Sequence, residues 1–166
     1  MITGEKYLRQ LYPNLDEKQY QPAGIDLTLD EVYVLKHNEG TIYGLLKDAK
    51  VLPEQVKCQT ANIQVGGMLK TVFRFKPRTA YIVKTTEKIK ISKNAGQFYL
   101  PRSSALRSGI ELCTAFGDPG FYGHLSFLLI NHTDDLFVIE KGARFAQLVD
   151  ISANNVESEY DGDYSE

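Results

Sequence analysis

The chain has no tryptophan and only two cysteines, Cys58 and Cys113, among 166 residues. Two thiols cannot form a disulfide framework. Both lie in or near apolar sequence, which reads as buried free thiols. No charged leader with an apolar core opens the chain, and no run of about 20 apolar residues follows. A soluble cytoplasmic protein with no membrane partner is expected. Charge of one sign is also missing: 19 basic and 21 acidic residues give a net charge of -2. That balance offers no long-range attraction to nucleic acid, although a local basic pocket can still take a small anion. The three histidines, His37, His124 and His132, lack tight metal-ligand spacing, and no Cys/His zinc cluster is present. Walker A, G-x-G-x-x-G and G-x-S-x-G patterns are absent. Repeated helical segments of roughly 10–15 residues are absent too, which argues against an α/β alternation.

What is present is a series of short strand-like runs broken by turns. Residues 25–29 (IDLTL) alternate strictly, placing Asp26 and Thr28 on the face opposite Ile25, Leu27 and Leu29. Residues 31–36 alternate similarly, 37–40 read as a turn and 41–46 as a short strand. Residues 47–60 are polar and broken by Pro53, a surface connection. Further strands are expected at 61–69, 71–75, 80–85, 88–91, 97–100, 110–115, 123–131, 136–139 and 145–151. Short helices are expected within 2–12, capped by Thr3, and at 103–108. The pattern predicts an all-β domain, a distorted barrel or jelly-roll-like fold with one or two short helices, over residues 1–151. The polar, acidic tail 152–166 is either mobile or ordered by a partner.

The chemistry concentrates in residues 101–131. Arg102 can donate a planar pair of hydrogen bonds to phosphate oxygens, and the Ser103 and Ser104 hydroxyls add donors beside it. Arg107 can join them or pair with a surface acid. Gly109 suits a left-handed turn or a close backbone approach. Asp118, before Pro119-Gly120, either accepts backbone N–H groups in an Asx-turn or orients and deprotonates water. Asp26 is either an exposed strand carboxylate or a group that orients a metal's water or a ligand hydroxyl. In residues 142–148 (GARFAQL), Phe145 suits the core, and Arg144 reads most simply as solvated.

In this order, these fragments resemble the superfamily of trimeric dUTP nucleotidohydrolases and dCTP deaminases. Residues 21–27 (QPAGIDL) resemble its first motif, 101–110 with the RSS core its second, 117–123 (GDPGFYG) its third and 142–148 its fourth. The resemblance implies a distorted β-barrel or β-clip, a homotrimer with sites between subunits, and a deoxynucleoside triphosphate bound with Mg²⁺ across its phosphates. It implies contacts to the phosphates or their hydration shell for Arg102, Ser103, Ser104 and Gln147, and Arg107, on the same segment, is expected among the substrate-binding residues. Asp118 would hold the attacking water or the 3′-hydroxyl, Phe121 would pack on deoxyribose, and Asp26 would stand near the metal. No direct metal ligand is assigned.

Position 128 separates the two branches. Deaminases of the superfamily carry a catalytic glutamate three residues before the asparagine that is Asn131 here, and this chain has Leu128. Residues 127–130 contain no acid, and zinc-free deamination needs one. The Asp118-Pro119-Gly120 form is nearer the deaminase branch and its archaeal-type dUTPase relatives, and no glycine-rich fifth motif follows. The expectation is a dUTP diphosphatase. A dCTP deaminase and a non-catalytic deoxynucleotide-binding regulatory trimer are the alternatives.

Overall fold

A computed structural model describes residues 1–36 and 52–165. The turn expected at 37–40 and the strand at 41–46 lie outside the described residues, as does the start of the 47–60 connection. In chain order the elements are α1 (Glu5–Leu11), β1 (Tyr20–Gln21), β2 (Gly24–Lys36), β3 (Glu54–Lys57), β4 (Ala61–Val65), β5 (Met68–Phe75) and β6 (Thr79–Lys90). There follow β7 (Ala95–Pro101), α2 (Ser103–Arg107), β8 (Ile110–Cys113), β9 (Tyr122–Asn131), β10 (Phe137–Glu140) and β11 (Arg144–Ser152).

The main sheet runs β7-β11-β2-β6-β9-β8, with β1 and β3 also paired to β2. It curls until its two edges meet. Gln97 of β7 and Gly117, just beyond β8, exchange both backbone hydrogen bonds, at 3.0 and 2.9 Å. Gly117 is required there: an added Cβ would run into the Tyr99 hydroxyl and stand 2.7 Å from Ile91 Cδ1. The barrel is filled by Ile25, Leu27 and Leu29 of β2, Val83 and Ile89 of β6, Phe127 and Leu129 of β9, and Phe145 and Leu148 of β11. Each such burial contributes about 1.5–3 kcal/mol. The second sheet, β10-β5-β4, closes one side by stacking Phe75 edge-on against Tyr81, with ring centroids 5.0 Å apart.

Two pairs of expected strands are single strands here. Residues 25–29 and 31–36 form one strand because the β2/β6 register shifts between Leu29 and Glu31. The bulge absorbs the phase change from odd to even apolar positions without breaking the strand. Strand β6 (Thr79–Lys90) likewise joins the strands expected at 80–85 and 88–91, with its register to β9 shifting between Lys84 and Lys88. Two other expectations are corrected. Thr3 does not cap α1: Gly4 is the N-cap, and the Thr3 hydroxyl donates to Asp150 Oδ2 at 2.7 Å instead. Part of the supposed surface connection is β3, which adds to the edge of β2 through backbone bonds that an exposed EQVK sequence does not advertise. The two thiols are free but only half-buried.

Candidate active site

The residues expected to grip an anion gather where β2, β7 and β11 lie side by side. Asp26 of β2 stands opposite Gln147 of β11. Arg102 follows the last residue of β7, and its backbone N–H donates to the Phe145 carbonyl at 3.1 Å, fixing the turn into α2. Arg144 opens β11. Both guanidiniums converge on one oxygen: Arg102 Nε lies 3.2 Å and Arg144 Nη1 3.1 Å from Asp26 Oδ2. Arg144 Nη1 also donates to the Lys18 carbonyl, and Arg102 Nη1 to that of Arg144 at 3.4 Å. Asp26 is 3% exposed, so it is not the surface carboxylate that strand alternation permits. Burial pushes its carboxyl above the ordinary value of 3.8, against the pull of Arg102 and then Arg144.

Ser103 and Ser104 begin α2 immediately after Arg102 and are exposed, and Arg107 is exposed in its last turn. Gln147 is half-buried and packs beside Gly24, where an added Cβ would meet the Leu148 carbonyl and stand 2.9 Å from Gln147 Nε2. The structure thus brings Asp26, Arg102 and Gln147 together, with the serines on the adjoining turn. Arg144, read from sequence as solvated, belongs to the same cluster. Its signal was its place inside the GARFAQL fragment.

Asp118 and Phe121 occupy a different place. With Tyr99, His124, Ser126 and the tail residues Tyr160 and Tyr164 they line a cavity of about 650 Å³. Its volume and aromatic walls suit a nucleoside-sized ligand. None of Arg102, Ser103, Ser104, Arg107 or Gln147 lines it. The Asp118 backbone carbonyl accepts from Phe121 N at 3.2 Å, and no described residue donates a hydrogen bond to its carboxylate. The Asx-turn alternative is therefore not realised, and the exposed carboxylate is left to solvent or ligand. Tyr99 is held in the wall by a buried chain: its hydroxyl donates to Gln97 Oε1 at 3.0 Å, and Gln97 Nε2 donates to Asp150 Oδ1 at 3.1 Å.

The tail folds back on its own chain. Tyr160 N donates to the Pro119 carbonyl at 2.7 Å, and its ring meets Phe121 edge-on with centroids 5.6 Å apart. Neither Tyr160 nor His124 was singled out from sequence. A lone tyrosine in a polar tail and a lone histidine in a strand carry no spacing signal.

No group of three His, Cys, Asp or Glu side chains able to hold a metal ion occurs among the described residues. Asp26, the carboxylate expected near Mg²⁺, is already engaged by two guanidiniums. The described residues of one chain do not form a protein-held magnesium centre. No helix among the described residues is long and apolar enough to cross a membrane.

Residues 4–150 match the dCTP deaminase-like family. The chain belongs to that family. Its relatives include a probable deoxyuridine 5′-triphosphate nucleotidohydrolase of Methanopyrus kandleri, 41% identical over 99% of both chains. One of Methanothermobacter thermautotrophicus is 36% identical over 100% of both. The deoxyuridine 5′-triphosphate nucleotidohydrolase of Methanocaldococcus jannaschii is 33% identical over 99% of this chain and 98% of its own. Among solved structures, the 2′-deoxycytidine 5′-triphosphate deaminase of Agrobacterium tumefaciens superposes with a TM-score of 0.61 at 22% identity, over 90% of this chain and 47% of that one. That likeness establishes the shared barrel fold.

Proposed function

We propose that this protein hydrolyses dUTP to dUMP and diphosphate, with the Asp118 cavity holding the nucleoside. The observation that carries this reading is the cavity's acid content. Asp118 is the sole carboxylate among its described lining residues, and Leu128 stands where a deaminase would place its acid. Deamination at C4 needs a group that shuttles protons at the ring, whereas hydrolysis needs a carboxylate that takes a proton from water. The names of the archaeal relatives support the same choice.

In this reading water attacks the α-phosphorus, its proton passes to Asp118, and the bond to the bridging oxygen breaks to release diphosphate. Phe121 packs on the deoxyribose. Arg102, Ser103, Ser104 and Gln147 receive the phosphates, Arg107 adds charge at the rim, and Arg144 joins them. Asp26 acts through the two arginines it orients. Mg²⁺ arrives with the triphosphate as part of the substrate. The separation of the Arg102 cluster from the Asp118 cavity within one chain supports a homotrimer in which a neighbouring copy completes each site. Residues 1–151 are the catalytic β domain and 152–166 a polar tail that adds Tyr160 and Tyr164 to the cavity wall, and the site of action is cytoplasmic.

The test is incubation with dUTP and dCTP, with Mg²⁺ and then with chelator, measuring diphosphate and ammonia separately. Diphosphate from dUTP is expected, and ammonia from dCTP would overturn the reading. Asp118→Asn should lose most turnover while still binding nucleotide. Light scattering should find a species of three 18.7 kDa chains.

A further inference from the structure

His124 Nδ1 lies 2.9 Å from the Thr85 carbonyl oxygen. A carbonyl only accepts, so Nδ1 carries the ring proton, and in the neutral ring Nε2 keeps its lone pair. The partner is firmly placed. Thr85 is 1% exposed, and its hydroxyl donates to the Glu87 carbonyl at 2.9 Å and accepts from Leu125 N at 3.0 Å. These bonds sit at the shift in register between Lys84 and Lys88, which turns the Thr85 carbonyl towards the histidine. One edge of the ring is tied to β6, no described residue hydrogen-bonds Nε2 on the other edge, and His124 lines the cavity with Asp118 and Phe121.

We propose that His124 is a base-contacting, specificity-determining residue that selects uracil over cytosine by presenting Nε2 as an uncharged acceptor to the N3–H of the base. The inference rests on the cavity being the nucleoside site. Uracil carries a donor at N3, whereas cytosine carries a lone pair there. Cytosine placed the same way sets two acceptors against each other, and both go unpaired. A site built to pair with one hydrogen-bonding edge rejects the analogue that lacks it more strongly than an apolar pocket rejects a change in size. Backbone groups around Ala115–Gly117 can hold the base from elsewhere in the wall, but His124 is the side chain whose polarity is fixed from behind.

A purely structural role, bracing the β6 bulge, makes the opposite prediction for one variant. An asparagine amide reaches the place of Nδ1, and a glutamine amide that of Nε2. His124→Asn therefore keeps the donor to Thr85 and removes the acceptor from the cavity. The readout is the inhibition constant of dCTP as a competitor divided by the KM for dUTP. His124→Asn is expected to lower this ratio by about tenfold or more, chiefly through the KM for dUTP, with an unchanged melting temperature. His124→Gln, whose amide oxygen can take the place of Nε2, should keep a larger share of the ratio. Phe121→Ala tests the premise separately and should raise KM for dUTP and the dCTP inhibition constant together. If it changes neither, the nucleoside reading of the cavity fails. If it changes both while His124→Asn leaves the ratio at the wild-type value, the assignment of His124 alone is overturned.

Discussion

Arg102 Nε stands 3.2 Å from Oδ2 of Asp26, a carboxylate buried between strands and shared with Arg144. The single anion offsets the repulsion of two guanidiniums and fixes their direction. Asp26→Ala removes it and leaves both half-buried cations without a counter-charge, held by the Lys18 and Arg144 carbonyls. Breaking a fully buried pair by removing one side costs about 3–5 kcal/mol, and the partial exposure of both arginines places this pair below that range. The urea midpoint should fall accordingly, and KM for dUTP should rise because neither arginine is held. An unchanged midpoint would show that solvent already carries these charges.

This cluster also shows what the sequence could and could not convey. Alternation in IDLTL located the strand and put Asp26 opposite the apolar face. It could not show what covers that second face, because Arg102 and Arg144 reach it from segments far along the chain. The phase change at Asp30 looked like a boundary and is a bulge, since one irregular residue costs a strand less than a break does. The RSS and Asp-Pro-Gly fragments were visible as motifs. Their separation on one chain was not, because spacing in sequence says nothing of which end of a barrel a loop occupies. His124 and Tyr160 reach the cavity through a strand register and a folded-back tail, which local pattern does not encode.

Gly24 tests how tightly β2 and β11 must approach at Gln147. An added Cβ there meets the Leu148 carbonyl, which cannot move without breaking the ladder, and Gln147 Nε2 at 2.9 Å. Gly24→Ala should therefore lower stability by about 1–3 kcal/mol, the range for overpacking. It should also weaken dUTP binding by displacing Gln147. Calorimetry and the KM for dUTP check the two effects.

Tyr160 ties the tail to the cavity rim through its N–H bond to Pro119 and its edge contact with Phe121. An aromatic pair of this geometry contributes about 0.5–1.5 kcal/mol beyond area burial. Tyr160→Ala should speed hydrogen exchange at the residue-160 amide roughly tenfold, since each 1.4 kcal/mol is a factor of about ten. Exchange in β9 should stay unchanged. Equal protection in both proteins would mean that the tail is held elsewhere.

Tyr12 gives the fold an alkaline limit. Burial pushes its phenol from 10.0 to about 12, with Gln97 pulling the other way by hydrogen bonding. The folded value lies above the unfolded one, so the native state keeps a proton that the unfolded chain gives up. This contribution is fully present below pH 10 and is lost as pH rises from 10 through about 12. At about 1.4 kcal/mol per unit, the shift corresponds to roughly 2–3 kcal/mol. Tyr12→Phe removes the titration. It also removes the bonds between Tyr12 and Gln97 Nε2, at 3.0 Å, and the Lys90 carbonyl, at 3.3 Å. The variant should be less stable near neutrality by about 1 kcal/mol, yet decline less steeply above pH 10. Tyr99, also raised by burial, keeps part of the slope in both proteins. Urea midpoints measured from neutrality to pH 12 should therefore converge, and parallel curves would remove Tyr12 as the titrating group.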